Sequence, residues 1–537
     1  MTGSGARRAD HEAPEAPPQA EDAQAAVQAV QAACREGDTE RAVALIDQHW
    51  SILLEQRRDD LDEVFRQVPL AAFRAHPRAA ALRDIRMHTS ADAVERMLGP
   101  RISVPDPAEV AAIEALARSK DALTILGVAS ARMIAYRVRG HFRRARELAV
   151  LVERLARIAG VHQPALVHDR VPNALLQAAI SRGIAGDLDG ALGTLRESYE
   201  RGPDARSEHI ARDAAGKAAL FSALTGDIDD ARRWLRRYDR TREVDGWIRS
   251  RLELSADLAR ALVAIESLDR GSAEDVLDRV EQPTNSEQGW GPLVTYVIAR
   301  HALIWGDRLR ALERVRRDRA RFADWLHAGA GLRPFLDHAE ADLHLALRQG
   351  HRARSVGAEL PDHPLAQVSR ARLALLTGDF DIAARLASRG ARDATDSRSR
   401  LDALTIQTSA HLRREQVAAA RAAFDLLVAS VASTGARAFL LYLSEEDRAA
   451  LVPGHAAPIA EEPDRALFPV LAEGIRLTRQ QRLVLDGIAA GRSPREISRD
   501  EHLSYNTVKT HVRALYAKLG ASSRDQAIAR AQEEGLL

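Results

Sequence analysis

SYNTVKTHVRALYAKLG, Ser504 to Gly520, is the stretch on which the reading of this chain turns. Ser504 is a good N-cap, Gly520 a good residue just past a C-terminus, and nothing between them breaks a helix. Val508, Val512, Leu515, Tyr516 and Leu519 recur at three- and four-residue steps, an apolar stripe that must pack on something. The opposite face carries Lys509, Thr510, Arg513 and Lys518 and no acidic residue. The whole chain has four lysines, Lys120, Lys217, Lys509 and Lys518, so two within one helix form a local cationic feature suited to a polyanion.

The preceding residues supply the other half of a binding unit. Thr478 with Gln481 reads as one capping box, and Ser493, Pro494 and Glu496 read as a second with proline at the first helical position. They predict helices from Thr478 to about Ala490 and from Ser493 to about Asp500, with Gly491 closing the first. A short turn, Glu501 to Leu503, leads into the Ser504 helix, and a fourth helix is expected from Ser523 to about Glu534. Between Leu477 and Leu537 there are ten Lys or Arg against seven Asp or Glu, the cationic excess falling on the third helix.

On these residues the segment resembles the LuxR-type DNA-binding domain. The matching positions are Leu477 and Thr478; Ala489, Gly491, Ser493, Glu496 and Ile497; then Ser504, Thr507, Val508, Lys509, His511, Lys518, Leu519 and Gly520. Three departures stand out: Gln480-Gln481 in place of Arg-Glu, Pro494 in place of Asn, and Glu501 where the family has a core leucine. The first two are compatible with the caps. A buried Glu501 would cost several kcal/mol, so it is expected to turn outward while Ile497 and Leu503 hold the core.

The resemblance implies that the Ser504 helix enters the major groove with Lys509, Thr510 and Arg513 toward base edges. Lys and Arg donate to guanine acceptors, and a threonine methyl can meet thymine. Arg495, Thr507, His511 and Lys518 are expected on phosphates, with backbone N–H groups at the helix start near Ser504, and Tyr505 and Asn506 stand exposed at that end. The closing helix offers Ala527, Ile528, Ala531 and Gly535 for a small two-fold contact, the usual dimerisation element of such domains.

The rest of the 537 residues is of another kind. With 46% hydrophobic and 28% charged residues and a net charge of +1, composition is that of an ordinary soluble protein, and the basic patch is local. A single cysteine, Cys34, rules out an internal disulfide framework and fits a reducing cytoplasm. No apolar run approaches the length needed to span a membrane, and residues 1–22 read as a polar, disordered tail.

From residue 23 to 447 the pattern is helical, with a recurring signature of Gly, usually Asp, three residues, then Ala. It occurs at Gly37 with Ala42, Gly140 with Ala145, Gly186 with Ala191, Gly226 with Ala231, Gly306 with Ala311 and Gly378 with Ala383. Glycine ends one helix, Asp caps the next, and alanine allows close packing. Steps of 46 and 40 residues, then 80 and 72 read as double periods, predict an all-α fold: an α-solenoid of helical hairpins followed by the four-helix domain. The copy GDLDGALGTLRESYERGP resembles a tetratricopeptide repeat, and the combination resembles the large maltose-activator-like LuxR regulators without their ATPase domain. Gly216-Lys217 lacks the rest of a P-loop, Gly329-Ala330-Gly331 lacks the third glycine of a dinucleotide loop, and the histidines show no metal-ligand spacing, so neither cofactor nor metal is expected.

Residues 448–474, rich in proline and acid, read as a linker to a DNA-binding domain at 475–537. The expected function is that of a bacterial, non-enzymatic transcription regulator. It would bind double-stranded promoter DNA as a homodimer, meet RNA polymerase, and sense a protein, peptide or small molecule through its repeats. The alternative is a repeat-based interaction scaffold whose DNA-binding domain Glu501 has weakened.

Overall fold

The repeated glycine is a matter of backbone geometry. In the computed structural model, which describes residues 18–56, 61–76, 79, 83, 107–204, 209–243, 249–280, 290–327, 329–356, 363–451, 467–469, 477–533 and 536–537, five of the six glycines have left-handed φ. Gly37, Gly140, Gly186, Gly226 and Gly378 lie at φ 75–89°, a region glycine enters without a Cβ penalty. The sixth, Gly306, is followed by Asp307, whose carboxylate accepts from the N–H groups of Leu309 and Arg310 at 2.9 and 3.0 Å. The alanine five residues on is buried in every copy, 0% exposed at Ala42, Ala145, Ala191, Ala231 and Ala383 and 5% at Ala311.

The same turn occurs three more times without its glycine. Leu268, Arg348 and Glu415 have φ of 64°, 61° and 59°, each followed five residues later by a buried alanine, Ala273, Ala353 and Ala420. The backbone bonds repeat as well: Asp269 N donates to Ala264 O, Gln349 N to His344 O and Gln416 N to His411 O, at 2.8–2.9 Å. Left-handed φ costs a non-glycine residue about 1 kcal/mol, which these turns absorb through tight packing on the alanine. Leu268 and Arg348 each lie 42 residues beyond the preceding glycine and split the 80- and 72-residue steps, so the double periods are real.

Among the described residues the chain is helical and has no strand. It divides into two compact units, residues 1–181 with 197–211, and residues 182–196 with 212–537. In the first, helices Ala122–Val138 and Phe142–His162 pair antiparallel over a core of Leu126, Met133, Val152 and Leu155. In the second, hairpins such as Pro364–Leu376 with Phe380–Asp393 and Ser397–Arg413 with Val417–Thr434 follow one another.

The second unit departs from a linear solenoid, in which each repeat touches only its neighbours. Arg398 reaches back to the turn before Gly226: its N–H donates to Thr225 O at 2.8 Å and its guanidinium to Leu224 O and Ala223 O at 2.9 and 3.1 Å. A Cβ on Gly226 would lie 2.7 Å from Arg398 N, so only glycine allows this approach. The array therefore closes on itself, and charged side chains fill the space where it closes. Glu266 accepts from Arg300 and Arg398 at 2.8 and 2.9 Å, and all three are at most 1% exposed. Beside them Arg372 pairs with Asp342 at 2.6 Å and with Asp402, while His338 lies 3.2 Å from Asp402 and 2.9 Å from Ser369 Oγ. Tyr442 receives a hydrogen bond from Arg300. Burial pushes the Glu266 carboxyl up, but Arg300 and Arg398 together outweigh it and hold it below the usual range. Burial also drives the Tyr442 hydroxyl up to about 12 and the His338 ring down to about 4, so that ring is neutral.

Three expectations need correction. The first helix begins at Pro18, so the end of the expected 1–22 tail is helical, while residues 1–17 lie outside the described residues. Helix Glu445–Leu451 runs past residue 447, and Leu467–Pro469 is ordered against the repeats inside the expected linker. Helix Val417–Thr434, at a mean hydropathy of 1.4, is long and apolar enough to cross a membrane by length and composition, which the reading of the sequence did not anticipate. Alanine accounts for much of that value. The helix carries Arg421 and Asp425, and buries Ala420, Ala423, Leu427 and Val431 in its hairpin.

Candidate nucleic-acid interface

Four helices make up the C-terminal region: Arg479–Ala489, Pro494–Asp500, Tyr505–Leu519 and Arg524–Glu533. Both capping boxes form. Thr478 and Gln481 exchange bonds at 3.0 and 3.2 Å, Ser493 and Glu496 at 2.7 and 3.4 Å. The bonds from Ser493 hold the Glu496 carboxyl below its ordinary range, so the cap stays anionic. Ser504 Oγ accepts from Thr507 N at 3.1 Å, and Gly520 closes the third helix at φ 61°. The turn into that helix uses His502 at φ 53° and is fixed by Ser498 Oγ donating to Leu503 O at 2.7 Å.

Val484, Leu485, Ile488, Ile497, Val508, Leu515, Leu519, Ala527, Ala531 and Leu536 form an apolar core, with Leu503, Val512, Tyr516 and Ile528 packed around it. Helix one meets helix two so closely that a Cβ on Gly487 would stand 2.7 Å from Ile497 Cγ1, a role the sequence did not disclose. Glu501 sits half-exposed at the end of the second helix and outside this core, with Ile497 buried and Leu503 half-buried in its stead, as expected.

With Val508, Leu515 and Leu519 turned inward, the helical advance of about 100° per residue sets Asn506, Lys509, Thr510 and Arg513 outward together. All four are exposed, and among the described residues neither Lys509 nor Arg513 is tied into an ion pair. Thr510 donates its hydroxyl to Asn506 O at 2.9 Å, which leaves its methyl and the oxygen's acceptor capacity for a partner. Tyr505 stands at the edge of this face, 44% exposed, under the Arg495 guanidinium at 5.8 Å, so the second helix delivers a cation to the start of the third. Thr507, His511 and Lys518 lie on the flank, where the same advance separates them from the base-facing group. Lys518 Nζ donates at 2.8 Å to Gln481 Oε1, the oxygen that also completes the first capping box, so it ties helix three to helix one.

The closing helix does not present the expected patch. Ala527 and Ala531 are 0% exposed inside the domain's own core, Ile528 is half-buried against it, and Gly535 lies outside the described residues. The two alanines expected at a two-fold contact are spent inside the domain instead, in one cluster with Leu515 and Leu519, where their small size lets the helix close on the core.

Residues 476–531 match the family described as bacterial regulatory proteins, luxR family. The C-terminal region is a LuxR-type helix-turn-helix domain. Over 61 residues the chain is 44% identical to the probable transcriptional regulatory protein NarL of Mycobacterium tuberculosis, covering 11% of this chain and 28% of that protein. Over 62 residues it is 39% identical to the transcriptional regulatory protein YdfI of Bacillus subtilis, covering 12% and 29%. The chain thus spans less than a third of the length of these relatives, and the likeness belongs to the LuxR-type domain alone.

Proposed function

We propose that this chain is a transcription regulator whose LuxR-type domain reads promoter DNA and whose helical-repeat region senses a protein, peptide or small molecule. The observation that carries the reading is the exposed, acid-free face of Asn506, Lys509, Thr510 and Arg513, whose two cations are in no ion pair among the described residues. On this reading the third helix lies in the major groove. Lys509 and Arg513 donate to guanine, the Thr510 methyl meets thymine, and Asn506 and Tyr505 sit at the groove entrance. Arg495, Thr507, His511, Lys518 and the N–H groups after Ser504 hold phosphates.

The protein works in the cytoplasm, where promoter DNA and RNA polymerase are met, and occupies two half-sites as a homodimer about one DNA turn apart. Its contact is sought outside Ala527 and Ala531. The repeats are tetratricopeptide-like sensors acting without a nucleotide-hydrolysing domain. Against the scaffold alternative stands the half-exposure of Glu501 at the end of the second helix. Mobility-shift selection on genomic fragments at physiological salt tests the proposal. Enrichment of particular promoter fragments is expected, with log affinity falling linearly in log salt. Uniform weak retention of all fragments would return the chain to the scaffold reading.

A further inference from the structure

Leu467, Phe468 and Pro469 lie between the repeats and the LuxR-type domain, in the stretch expected to be a plain linker. Leu467 is 2% exposed, and Phe468 packs on Leu345, Ala353, Leu373 and Leu376. The Phe468 ring meets Tyr442 edge-on at 5.5 Å, and the Arg372 guanidinium lies against both rings, 4.7 Å from the centre of Phe468 and 4.6 Å from that of Tyr442. These same two residues belong to the charged centre that closes the repeat array. A cleft beside Phe468, partly open to solvent, is walled by Thr405, Ser409, Arg413 and Asp447. Arg413 and Asp447 pair at 2.6 Å and neutralise one another, so an uncharged aromatic group suits the place better than a free ion.

We propose that this site is a regulatory docking site whose resident occupant is the chain's own Leu467-Phe468-Pro469 segment, and that its release frees the LuxR-type domain. The effect comes from tether length. Between Leu451 and Leu477 the chain has twenty-five residues, 452–476, but beyond the docked Pro469 only seven, 470–476. At no more than about 3.4 Å per residue, the greatest span those residues could cover falls from roughly 85 Å to roughly 24 Å. A short tether restricts how two readers can be set on two half-sites, and a released one lets both engage. A competitor must bring an aromatic ring to Arg372 and Tyr442.

The regulatory half of this inference rests on the proposed DNA-binding function, whereas the docking half does not, and the test separates them. In the full chain, Phe468→Ala should speed tryptic cleavage at Arg465 and Arg476 at least tenfold with the repeat region's melting unchanged. A synthetic peptide spanning residues 464–471 should bind the Phe468→Ala chain at least tenfold more tightly than the wild type, whose site is occupied. Equal cleavage rates, or a peptide that binds neither chain, would overturn the docking. If docking stands, Phe468→Ala should also change affinity for a two-half-site DNA at least threefold and leave a single half-site unaffected. Unchanged binding to both DNAs would overturn the regulatory role and leave the segment a structural clasp.

Discussion

The LuxR-type domain and the closed repeat array solve the same packing problem with opposite materials. The first buries ten apolar side chains and keeps Lys509 and Arg513 on the outside, where among the described residues neither is tied into an ion pair. The second encloses Arg300, Arg372 and Arg398 with Glu266, Asp342 and Asp402, none more than 2% exposed. An apolar core tolerates change of shape within its volume, whereas a buried charge is acceptable only while its partner is present. The reader is thus suited to rigid presentation of one face. The array is held by bonds that can be broken singly, and its stability depends on protonation.

The largest effect expected from this contrast is at Glu266. Glu266→Ala strands Arg300 and Arg398 without their shared carboxylate and should cost about 3–5 kcal/mol in denaturant unfolding of the repeat region. A loss below about 1 kcal/mol would mean that the charged centre is idle and the contrast superficial. Next is pH. The unfolded His338 ring takes up a proton near its ordinary value while the folded one, held at about 4 by burial, does not. Below about pH 6.5 the unfolded state therefore binds more protons, and stability falls until about pH 4, by about 3 kcal/mol from this ring. Comparing His338→Gln with wild type across that window should show a shallower decline in the variant, and identical slopes would remove His338 from the account.

Smaller effects lie in the reader. Lys509→Ala or Arg513→Ala should weaken a selected site by about 1–3 kcal/mol and barely alter binding to random DNA. Equal losses on both would demote these residues to phosphate contacts. The smallest change is expected at Glu501, where half-exposure leaves little to gain: Glu501→Leu should move the melting free energy by about 0.5 kcal/mol or less. A gain well above 1 kcal/mol would show a strained carboxylate and blur the difference between the two cores.

What could be read from the sequence follows the range of the interactions. The caps at Thr478, Ser493 and Ser504, the glycine at Gly520 and the inward stripe at Val508, Leu515 and Leu519 are set within a turn or two, and each was legible. So was the Gly-to-Ala turn wherever glycine marks it. At Leu268, Arg348 and Glu415 the same backbone is imposed by packing, and no residue type announces it. The charged centre could not be read because its partners lie far apart in the chain, Glu266 and Arg398 being 132 residues distant. Phe468 was hidden among prolines and acids. The alanines at 527 and 531 misled because spacing alone does not distinguish a self-contained core from an interface.

That separation bears on how the protein is made. Glu266 leaves the ribosome long before the arginine at 398 exists, and at about 5–20 residues per second the wait is roughly seven to twenty-six seconds. During that interval Arg300, only 34 residues on, is the one of its two arginine partners the carboxylate can meet, and the hairpins already synthesised lack the contact that seals them. Closure then comes late and at once, when the strand of helices from Arg398 to Tyr442 has arrived. A linear array can gain or lose a repeat and still fold; this one, cut or extended by a single hairpin between Gly226 and Arg398, would miss its own seam.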